Sequence, residues 1–284
     1  MIIHSAQKKD REKILKIASH TWEGWDYVPQ LIDEWLIEGG LFIAEESGEI
    51  VGLTKTTILS RGELWLEGIR VKKELRRQGI GKKLAFFQLE EALKQRPRVI
   101  RLSTAEVNIE SIKLIENMRF RKIKEFKYME LHHPEEKELL SNVIKGKNHK
   151  ALWNYIRDSV FFNESKGLLP WSWIFREITP ELISSLIKEE RVFISKKDGR
   201  IISLIILLPH RYEKETVEIC LIEGINKKEI EKLFDFAQYY VVSNNINKLV
   251  FFPPSLRVEK IALKVGFSFP YSFKKVLVYE LVSG

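Results

Sequence analysis

The sequence predicts an α/β (α+β) protein in which a mixed central sheet flanked by helices is present twice. Three observations predict this fold class. Apolar runs of strand length alternate with longer stretches of helical periodicity, two parts of the chain match at a nearly constant offset, and a strand is followed by a basic loop and a helix with two glycines. The chain has 284 residues, which is long enough for two domains of ordinary size.

In the first copy, strands and helices are predicted in turn. Apolar runs predict strands at 2–5, 41–46, 50–58, 64–71, 98–103 and near 119–131. Helical periodicity predicts helices at 9–20, 29–38, 79–94 and 109–117. In the third of these helices, Ile80, Leu84 and Leu89 belong to one broad apolar face, so we expect it to pack on a sheet.

The repeat is visible in two hairpin-like stretches. Residues 40–53 and 191–204 each contain an apolar run, a polar turn with a glycine and a second apolar run, at an offset of 151 residues from Phe42 to Phe193. Residues 117–120 and 264–267 match in the same order near the end of each copy. We predict a first domain at 1–133, a helical connector at 134–167 with helices at 135–140 and 150–162, and a second domain at 168–284.

Composition disfavours nucleic-acid binding and membrane association. The formal net charge of +8 is spread evenly over the two halves, and no nucleic-acid-binding motif accompanies it, so nucleic acid is a disfavoured partner. Cys220 is the single cysteine, which excludes an internal disulfide and fits a reducing cytoplasm. No apolar run reaches the length of a membrane span, and the N-terminus is too charged for a signal peptide. We therefore expect a cytoplasmic protein without a membrane partner.

A basic loop joins the strand at 64–71 to the helix at 79–94. The first turn of a helix leaves backbone N–H groups without partners, and the helix dipole favours an anion there. Gly79 and Gly81 let the backbone approach a pyrophosphate, and Arg76, Arg77 and Lys82 surround it with positive charge. An ordinary basic helix start is the alternative.

The pattern Arg76-x-x-Gly79-x-Gly81 resembles the acetyl-CoA motif of the GNAT superfamily of N-acetyltransferases. The segment 65–71 resembles the fourth strand of that family, which carries a bulge. The resemblance implies the acyl-CoA N-acyltransferase fold and acetyl-CoA as co-substrate. It assigns the cofactor to the backbone of Ile69, Arg70 and Val71, to the loop and helix start at Arg76, Arg77, Gln78, Gly79, Ile80, Gly81 and Lys82, and to Asn108.

Two residues depart from the family pattern. Ile115 stands where many members have the tyrosine that protonates the leaving thiolate, and Arg119 replaces the usual glycine. Tyr27 and Tyr128 are candidates for the missing acid by residue type alone, and a thiolate can also leave without much help.

Amine acetylation needs a group that accepts the proton of the attacking amine. Glu67 precedes Gly68 on the strand that leads to the basic loop, and a bulge at Gly68 would turn the neighbouring side chain into the site. We predict Glu67 as the base or amine anchor, with Glu63 as the next candidate; a surface strand glutamate is the alternative. We predict no metal, because His132 and His133 lie side by side in a linker and rarely converge on one ion.

The segment 21–29 is rich in aromatic and acidic residues. In the GNAT fold this loop borders the acceptor site, and aromatic walls with a carboxylate suit a cationic amine. Trp22, Asp26 and Tyr27 are therefore predicted to bind the acceptor, a small-molecule or peptide amine. Packing into the core and capping of the next helix are the alternative.

The second copy lacks the glycines of the loop. Glu229 and Glu231 stand at the places of Gly79 and Gly81, and carboxylates there would repel a phosphate. We expect a lobe without CoA that completes the acceptor pocket or forms a homodimer contact. The sequence thus favours an N-acetyltransferase that acts on a primary amine by direct attack on the thioester. A non-catalytic acyl-CoA sensor is the alternative.

Overall fold

A computed structural model describes residues 1–19, 26–138, 143–270 and 272–282. Its contacts divide the chain into two compact units. The N-terminal unit consists of Met1–Leu102, Glu110–Arg121 and the residues from Tyr279 onward, and the second unit consists of Ser103–Ile109 and Lys122–Val278.

The N-terminal unit is a sheet with helices. Its strands are β1 (Ile2–Ser5), β2 (Leu41–Glu46), β3 (Glu49–Ser60), β4 (Glu63–Val71) and the first part of β5 (Val99–Ala105). Its helices are α1 (Arg11–Ala18), α2 (Val28–Glu38), α3 (Ile80–Lys94) and α4 (Ile109–Asn117). Strands β1 to β4 pair antiparallel in chain order, and β5 joins β4 in parallel.

The predicted elements of the first copy are confirmed with ends shifted by a residue or two. The apolar face of α3 is also confirmed, since Ile80 and Leu84 pack with Ala44 and Val51 of the sheet. Trp35 and Leu31 of α2 are fully or almost fully buried. These contacts hold β3 and β4 between helices, and this fixes the place where β4 ends and α3 begins.

The second unit contains the other sheet. Its elements are β6 (Arg121–Lys127), β7 (Met129–His132), β8 (Ile144–Lys145), α5 (His149–Arg157), α6 (Val160–Glu164), β9 (Leu168–Trp171), β10 (Ile174–Glu177), α7 (Pro180–Lys188), β11 (Val192–Lys197), β12 (Arg200–Pro209), β13 (Thr216–Gly224), α8 (Lys227–Ser243), β14 (Lys248–Phe251), α9 (Leu256–Lys264) and the first part of β15 (Lys275–Val282). Six strands lie in the order β7-β14-β13-β12-β11-β8. Helices α8 and α9 cover one face of this sheet, and α5, α6 and α7 cover the other.

The predicted repeat is also visible in how the helices end. After α4, the N–H of Phe120 donates to the carbonyl of Ile115 and Arg119 has φ of +65°. After α9, the N–H of Phe267 donates to the carbonyl of Ala262 and Gly266 has φ of +99°. Both are Schellman ends, in which the residue after the cap adopts a left-handed conformation.

Each unit takes strands from the far part of the chain. Strand β7, near the end of the first repeat, pairs antiparallel with β14 in the second unit. The residues of β15 from Tyr279 onward belong to the N-terminal unit, where Arg101 of β5 binds Glu280. The compact units therefore do not follow the predicted domain boundaries at 133 and 168.

The connector predicted at residues 134–167 contains a strand as well as helices. Strand β8 pairs with β11 as β1 pairs with β2, so residues 144–167 begin the second sheet and its helical layer. Residues 135–138 are not helical, and the rest of the helix predicted at 135–140 lies outside the described residues. Within the described residues, no helix is both long and apolar enough to cross a membrane.

Candidate active site

Strand β4 carries the bulge that the sequence predicts. Its pairing with β3 joins Glu67 to Lys55 and Arg70 to Leu53, so Gly68 and the residue after it face one residue of β3. Gly68 has φ of +78°, and a Cβ at this position would lie 3.1 Å from the Trp35 ring. Only glycine meets both conditions without strain. The bulge therefore depends on this residue and on the tryptophan behind it.

Strand β4 separates from its parallel neighbour β5 before it reaches the bulge. The pairs between β4 and β5 run from Glu63–Val99 to Trp65–Arg101, and among the described residues no pair follows, although β4 continues to Val71. The edge of β4 at Ile69, Arg70 and Val71 is thus not covered by β5. A strand edge of this kind can take up an extended chain through backbone hydrogen bonds.

Two backbone acceptors of this segment are contacted by arginine side chains. Arg70 Nη1 donates to the carbonyl of Ile69 at 3.0 Å, and Arg76 Nε donates to the carbonyl of Val71 at 3.2 Å. The side chain of Arg70 points into the unit, whereas Arg76 lies at the surface. The predicted cofactor-binding backbone is therefore held in place by residues of the same segment.

The loop after β4 winds into the start of α3. Arg77 and Gly79 both have positive φ, +65° and +82°. The helical hydrogen bonds of α3 begin with Lys83 N–H donating to Gly79 O at 3.0 Å, which leaves the preceding N–H groups at Ile80, Gly81 and Lys82 without helical acceptors. These donors and the helix dipole form an anion site at the end of β4.

Space and charge at this helix start suit a phosphate. A Cβ on Gly79 would meet none of the described residues within 4 Å, and one on Gly81 would meet only Val71, at 3.6 Å. The side chains of Arg76, Arg77, Gln78, Lys82 and Lys83 are exposed around it. The residues present therefore fit the pyrophosphate of a CoA molecule.

Glu67 lies at the bulge with a defined orientation. Its side chain is half-buried, and Thr57 Oγ1 of β3 donates to Glu67 Oε1 at 2.6 Å. The main-chain carbonyl of Glu67 accepts from the Gln88 side chain of α3 at 3.3 Å. The structure therefore gives this carboxylate a fixed place at the bulge.

Asp26 and Arg70 form a buried ion pair. Arg70 Nε and Nη2 contact the two carboxylate oxygens at 2.6 and 2.9 Å, and both side chains are at most 5% exposed. Asp26 Oδ1 also accepts from the Val28 N–H at the start of α2, at 3.1 Å. Asp26 thus accepts from the start of α2, in keeping with the capping alternative, and it also positions Arg70, which the sequence did not predict. An amine would have to compete with Arg70 for this carboxylate.

Tyr27 lies beside this pair and near Glu67. The Arg70 guanidinium is 5.0 Å from the ring centroid, and the ring of Trp35 packs edge-on at 6.0 Å. Burial raises the pKa of Tyr27 to about 12; the charge of Arg70 opposes this rise, and the charges of Glu67 and Asp26 add to it. Burial acts to lower the pKa of Arg70, but the interactions of its guanidinium with Tyr27 and Asp26, including the hydrogen bond and charge of Asp26, keep it above the ordinary value. The phenol therefore stays protonated at neutral pH.

The other candidates have different surroundings. Glu63 is 1% exposed, and Arg101 binds its Oε1 at 2.6 Å, so the two form a buried ion pair. Arg101 also binds Glu280. Tyr128, in the second unit, donates its hydroxyl to Glu130 Oε1 at 2.8 Å. Burial raises its pKa well above 10.

The remaining predicted positions are Ile115, Asn108 and Trp22. Ile115 is 4% exposed and packs inside the N-terminal unit. Asn108 lies exposed in the turn between β5 and α4 and belongs to the second unit, where its N–H donates to the Ala105 carbonyl at 3.0 Å. Trp22 lies outside the described residues.

Sequence reasoning missed the residues that support the bulge. Gln88 of α3 is 1% exposed and donates to the carbonyl of Lys55 at 2.5 Å as well as to that of Glu67, which ties α3 to both strands. Thr57 orients Glu67. A signal was present in β3, where the polar run Thr54-Lys55-Thr56-Thr57 is buried throughout. Four polar residues in succession inside an apolar strand indicate partners on a neighbouring element.

In the second unit, α8 is the helix that corresponds to α3, and its first turn is built differently. The Asn226 side chain caps α8 by accepting from the Glu229 N–H at 3.0 Å. Glu229 is 8% exposed and binds Lys232 at 2.8 Å. The Asn226 cap thus satisfies a backbone N–H at the start of α8, and the Glu229 carboxylate fills the space beside it. At α3, the corresponding donors and space remain accessible.

Comparison with known proteins gives the same fold. Residues 11–120 match the model of the acetyltransferase (GNAT) family. A GCN5-related N-acetyltransferase from Sphaerobacter thermophilus is 11% identical, with a TM-score of 0.70 over 99% of this chain and 95% of that one. A tandem GNAT protein from the clavulanic acid biosynthesis pathway is 9% identical, with a TM-score of 0.66 over 100% and 98%. No curated protein sequence matches the chain significantly.

A further solved structure is a GCN5-related glucosamine N-acetyltransferase region in a fungal multi-domain GH3 β-N-acetylglucosaminidase. It is 12% identical, with a TM-score of 0.69 over 99% of this chain and 38% of that one. At these identities, the similarity shows a shared fold. The chain has the acyl-CoA N-acyltransferase fold in its tandem form. Within it, the match to the acetyltransferase (GNAT) family model covers residues 11–120.

Proposed function

We propose that the N-terminal unit binds acetyl-CoA and transfers its acetyl group to a primary amine. The observation that carries this proposal is the departure of β4 from β5 after Trp65, on the strand that leads through the basic loop to the glycine-containing start of α3. One segment thus offers a strand edge for an extended arm and a cationic anion site for phosphates.

Acetyl-CoA would be held by groups of β4 and α3. The N–H groups at the start of α3 and the side chains of Arg76, Arg77 and Lys82 would bind the pyrophosphate. The backbone at Ile69, Arg70 and Val71 would bind the pantetheine arm along the open edge of β4. Asn108 stays a predicted contact, implied by the family pattern.

Bound acetyl-CoA supplies an activated acetyl thioester. The acceptor must present a neutral nitrogen, which forms a C–N bond to the acetyl carbon as the C–S bond breaks and the thiolate leaves. Glu67 accepts the proton that the amine loses, directly or through a water. Thr57 holds Glu67 in one orientation for this transfer, because its hydroxyl donates to Oε1.

The thiolate leaves without a tyrosine at position 115. Tyr27 is the phenol of the N-terminal unit that interacts with Glu67 and Arg70, and it stays protonated at neutral pH. It is our candidate for the group that returns a proton to the leaving sulfur. A thiolate is also a tolerable leaving group in water.

One observation favours a second candidate function. Ile115 is buried where many family members have the acid, so the same site could bind acyl-CoA without turnover. Such a sensor would keep the anion site and the open strand edge. It would not release CoA when amines are added.

A panel of amines separates the two functions. The panel comprises glucosamine, suggested by the fungal GNAT region, together with amino acids, polyamines and short peptides, and the readout is free thiol released from acetyl-CoA. Cys220 is buried, so its thiol will add little to the background. Release with a subset of amines supports the transferase. Binding of acetyl-CoA without release by any amine supports the sensor, and the absence of binding contradicts both.

A further inference from the structure

The second unit contains a groove that the proposed transferase does not use. It has a volume of about 1190 Å³ and is lined by β8, α5, the start of α6, the hairpin of β11 and β12, the end of β13 and the start of α9. All its lining residues belong to the second unit. Small-molecule sites typically occupy about 300–1,000 Å³, so there is room for a ligand of that size.

Apolar side chains line this groove from its wall to its mouth. Leu152 and Ile194 are buried in the wall. Ile144, Val160 and Ile225 line it as well and are 51%, 43% and 62% exposed. Single exposed apolar residues are common, but three around one cavity form a patch that an apolar ligand would cover.

Cations accompany these apolar residues. Lys147, Lys196, Arg200 and Arg257 line the groove with exposed side chains. Within the part of the chain that the structure describes, Lys196, Arg200 and Arg257 form no salt bridge, whereas Lys145 beside them binds Glu190. The positive charge of these three side chains is therefore not neutralised by a neighbouring carboxylate.

The two carboxylates that line the groove, Glu223 and Asp158, both have hydrogen-bonding partners. Glu223 accepts from the N–H groups of Phe161 at 2.7 Å and Gly224 at 2.9 Å, which places it at the positive end of α6. Asp158 binds Arg157 through both oxygens, at 2.9 and 3.3 Å. Because these negative charges are compensated locally, the cations determine the sign of the potential in the groove.

We propose that this groove binds an amphipathic anion, a molecule with an apolar body and a carboxylate or phosphate head. The apolar body would cover Ile144, Val160 and Ile225, and the head would meet Arg200 and Arg257. A neutral apolar molecule would leave the cations without a partner, and an amphipathic cation would be repelled by them. The site is separate from the acetyl-CoA site proposed in the N-terminal unit, and neither proposal depends on the other.

Binding is tested on the full chain with 11-(dansylamino)undecanoate, a fluorescent amphipathic anion. We expect saturable fluorescence enhancement that dodecanoate or dodecyl phosphate reverses and that dodecylammonium does not. The stronger of the two competitors identifies the head group. No saturable enhancement up to the solubility limit of the probe, or equal competition by dodecylammonium, would overturn the proposal.

Exposed residues of the groove can be changed without disturbing the core. Arg200→Glu and Arg257→Glu should each weaken probe binding about tenfold at low salt, with a smaller effect at high salt. Ile225→Ser should weaken it several-fold through lost apolar contact. Lys188→Glu and Ile37→Ser are matched controls, since Lys188 is exposed on α7 and Ile37 is 79% exposed on α2.

The same variants distinguish this groove from the acetyl-CoA site. Gly81→Glu should leave probe binding unchanged, because Gly81 lies at the start of α3 in the N-terminal unit. Probe binding that is lost in Gly81→Glu but retained in Arg200→Glu would place the probe at the acetyl-CoA site and refute the groove. An equal loss in Lys188→Glu and Arg200→Glu would refute it too, because net charge alone would then explain binding.

Discussion

Thr57 donates a 2.6 Å hydrogen bond to Glu67 across the β3–β4 pair, beside the bulge at Gly68. A hydrogen bond to an ionised carboxylate contributes about 1.5–3 kcal/mol and fixes its orientation. Glu67 thus has the features required of a base, a defined position and a half-exposed side chain. Glu63, four residues earlier on the strand, is held in a buried ion pair.

We predict that Glu67→Gln lowers turnover about a hundredfold to ten-thousandfold, because the amide keeps the shape of the side chain and removes the proton acceptor. Acetyl-CoA affinity, measured by calorimetry, should stay close to that of the wild type. Activity should partly recover at high pH, where more of the amine is neutral. Glu90→Gln on the exposed face of α3 is the control. Normal turnover in Glu67→Gln would remove this residue from the mechanism, and loss of acetyl-CoA binding would make it structural.

Gly81→Glu should abolish acetyl-CoA binding while the protein stays folded. Among the described residues, a Cβ at this position meets only Val71, at 3.6 Å, so the backbone tolerates a side chain, whereas a carboxylate would face the proposed pyrophosphate. Calorimetry measures binding, and circular dichroism checks the fold. Gly81→Ala is the matched control and should bind acetyl-CoA more tightly than the glutamate variant. Unchanged affinity in folded Gly81→Glu would contradict the proposed site.

Calorimetry should also find one acetyl-CoA per chain. The start of α3 has helical donors without helical acceptors, whereas Asn226 caps α8 and Glu229 fills the corresponding place. A chain with Gly81→Glu should therefore bind none. Two saturable sites in the wild type, with one remaining in the variant, would show that the second repeat also binds the cofactor.

Glu218 should make stability depend on pH. The residue is 0% exposed, its Oε2 accepts from the Ser172 N–H at 2.6 Å, and burial raises its pKa from 4.5 to about 8. Below pH 4.5 both folded and unfolded states hold the proton. Between pH 4.5 and 8 the unfolded state loses it first, so this group lowers the free energy of unfolding by about 1.4 kcal/mol per pH unit.

The substitution Glu218→Gln removes this ionisation and should flatten the decline in unfolding free energy between pH 5 and 8. Urea unfolding at several pH values measures the difference. The exposed Glu110→Gln serves as the control and should follow the wild-type profile. If the Glu218→Gln and wild-type profiles run parallel, the carboxyl group ionises in the folded state as it does in water.

Arg119→Gly should raise the free energy of unfolding by up to about 1 kcal/mol. Arg119 has φ of +65°, which costs a side-chain-bearing residue about 1–2 kcal/mol, while glycine loses part of that gain through its larger entropy when unfolded. Gly266→Arg should act in the opposite direction, because a Cβ there lies 3.2 Å from Leu131 Cδ1. Arg121→Gly, in an extended strand, should not be stabilising. Destabilisation by Arg119→Gly would show that the arginine side chain has a compensating role.

The sequence by itself determined the fold class, the repeat and the glycine-containing start of α3 after a basic loop. These features are local: a hairpin pattern recurs at a constant offset, and glycines at a helix start permit positive φ and close backbone approach. The loss of the glycines at Glu229 and Glu231 was visible for the same reason.

Only the tertiary structure decided which polar side chains form buried ion pairs. Asp26 and Arg70 are 44 residues apart in sequence, and Glu63 and Arg101 are 38 residues apart, yet each pair is buried and bonded. Such pairs form because a buried charge requires a partner, and the partner comes from whichever element the fold places opposite. The positions of β15 and β7 likewise depend on the tertiary structure. The backbone N–H and C=O groups at a strand edge need partners, and a segment from any part of the chain can supply them.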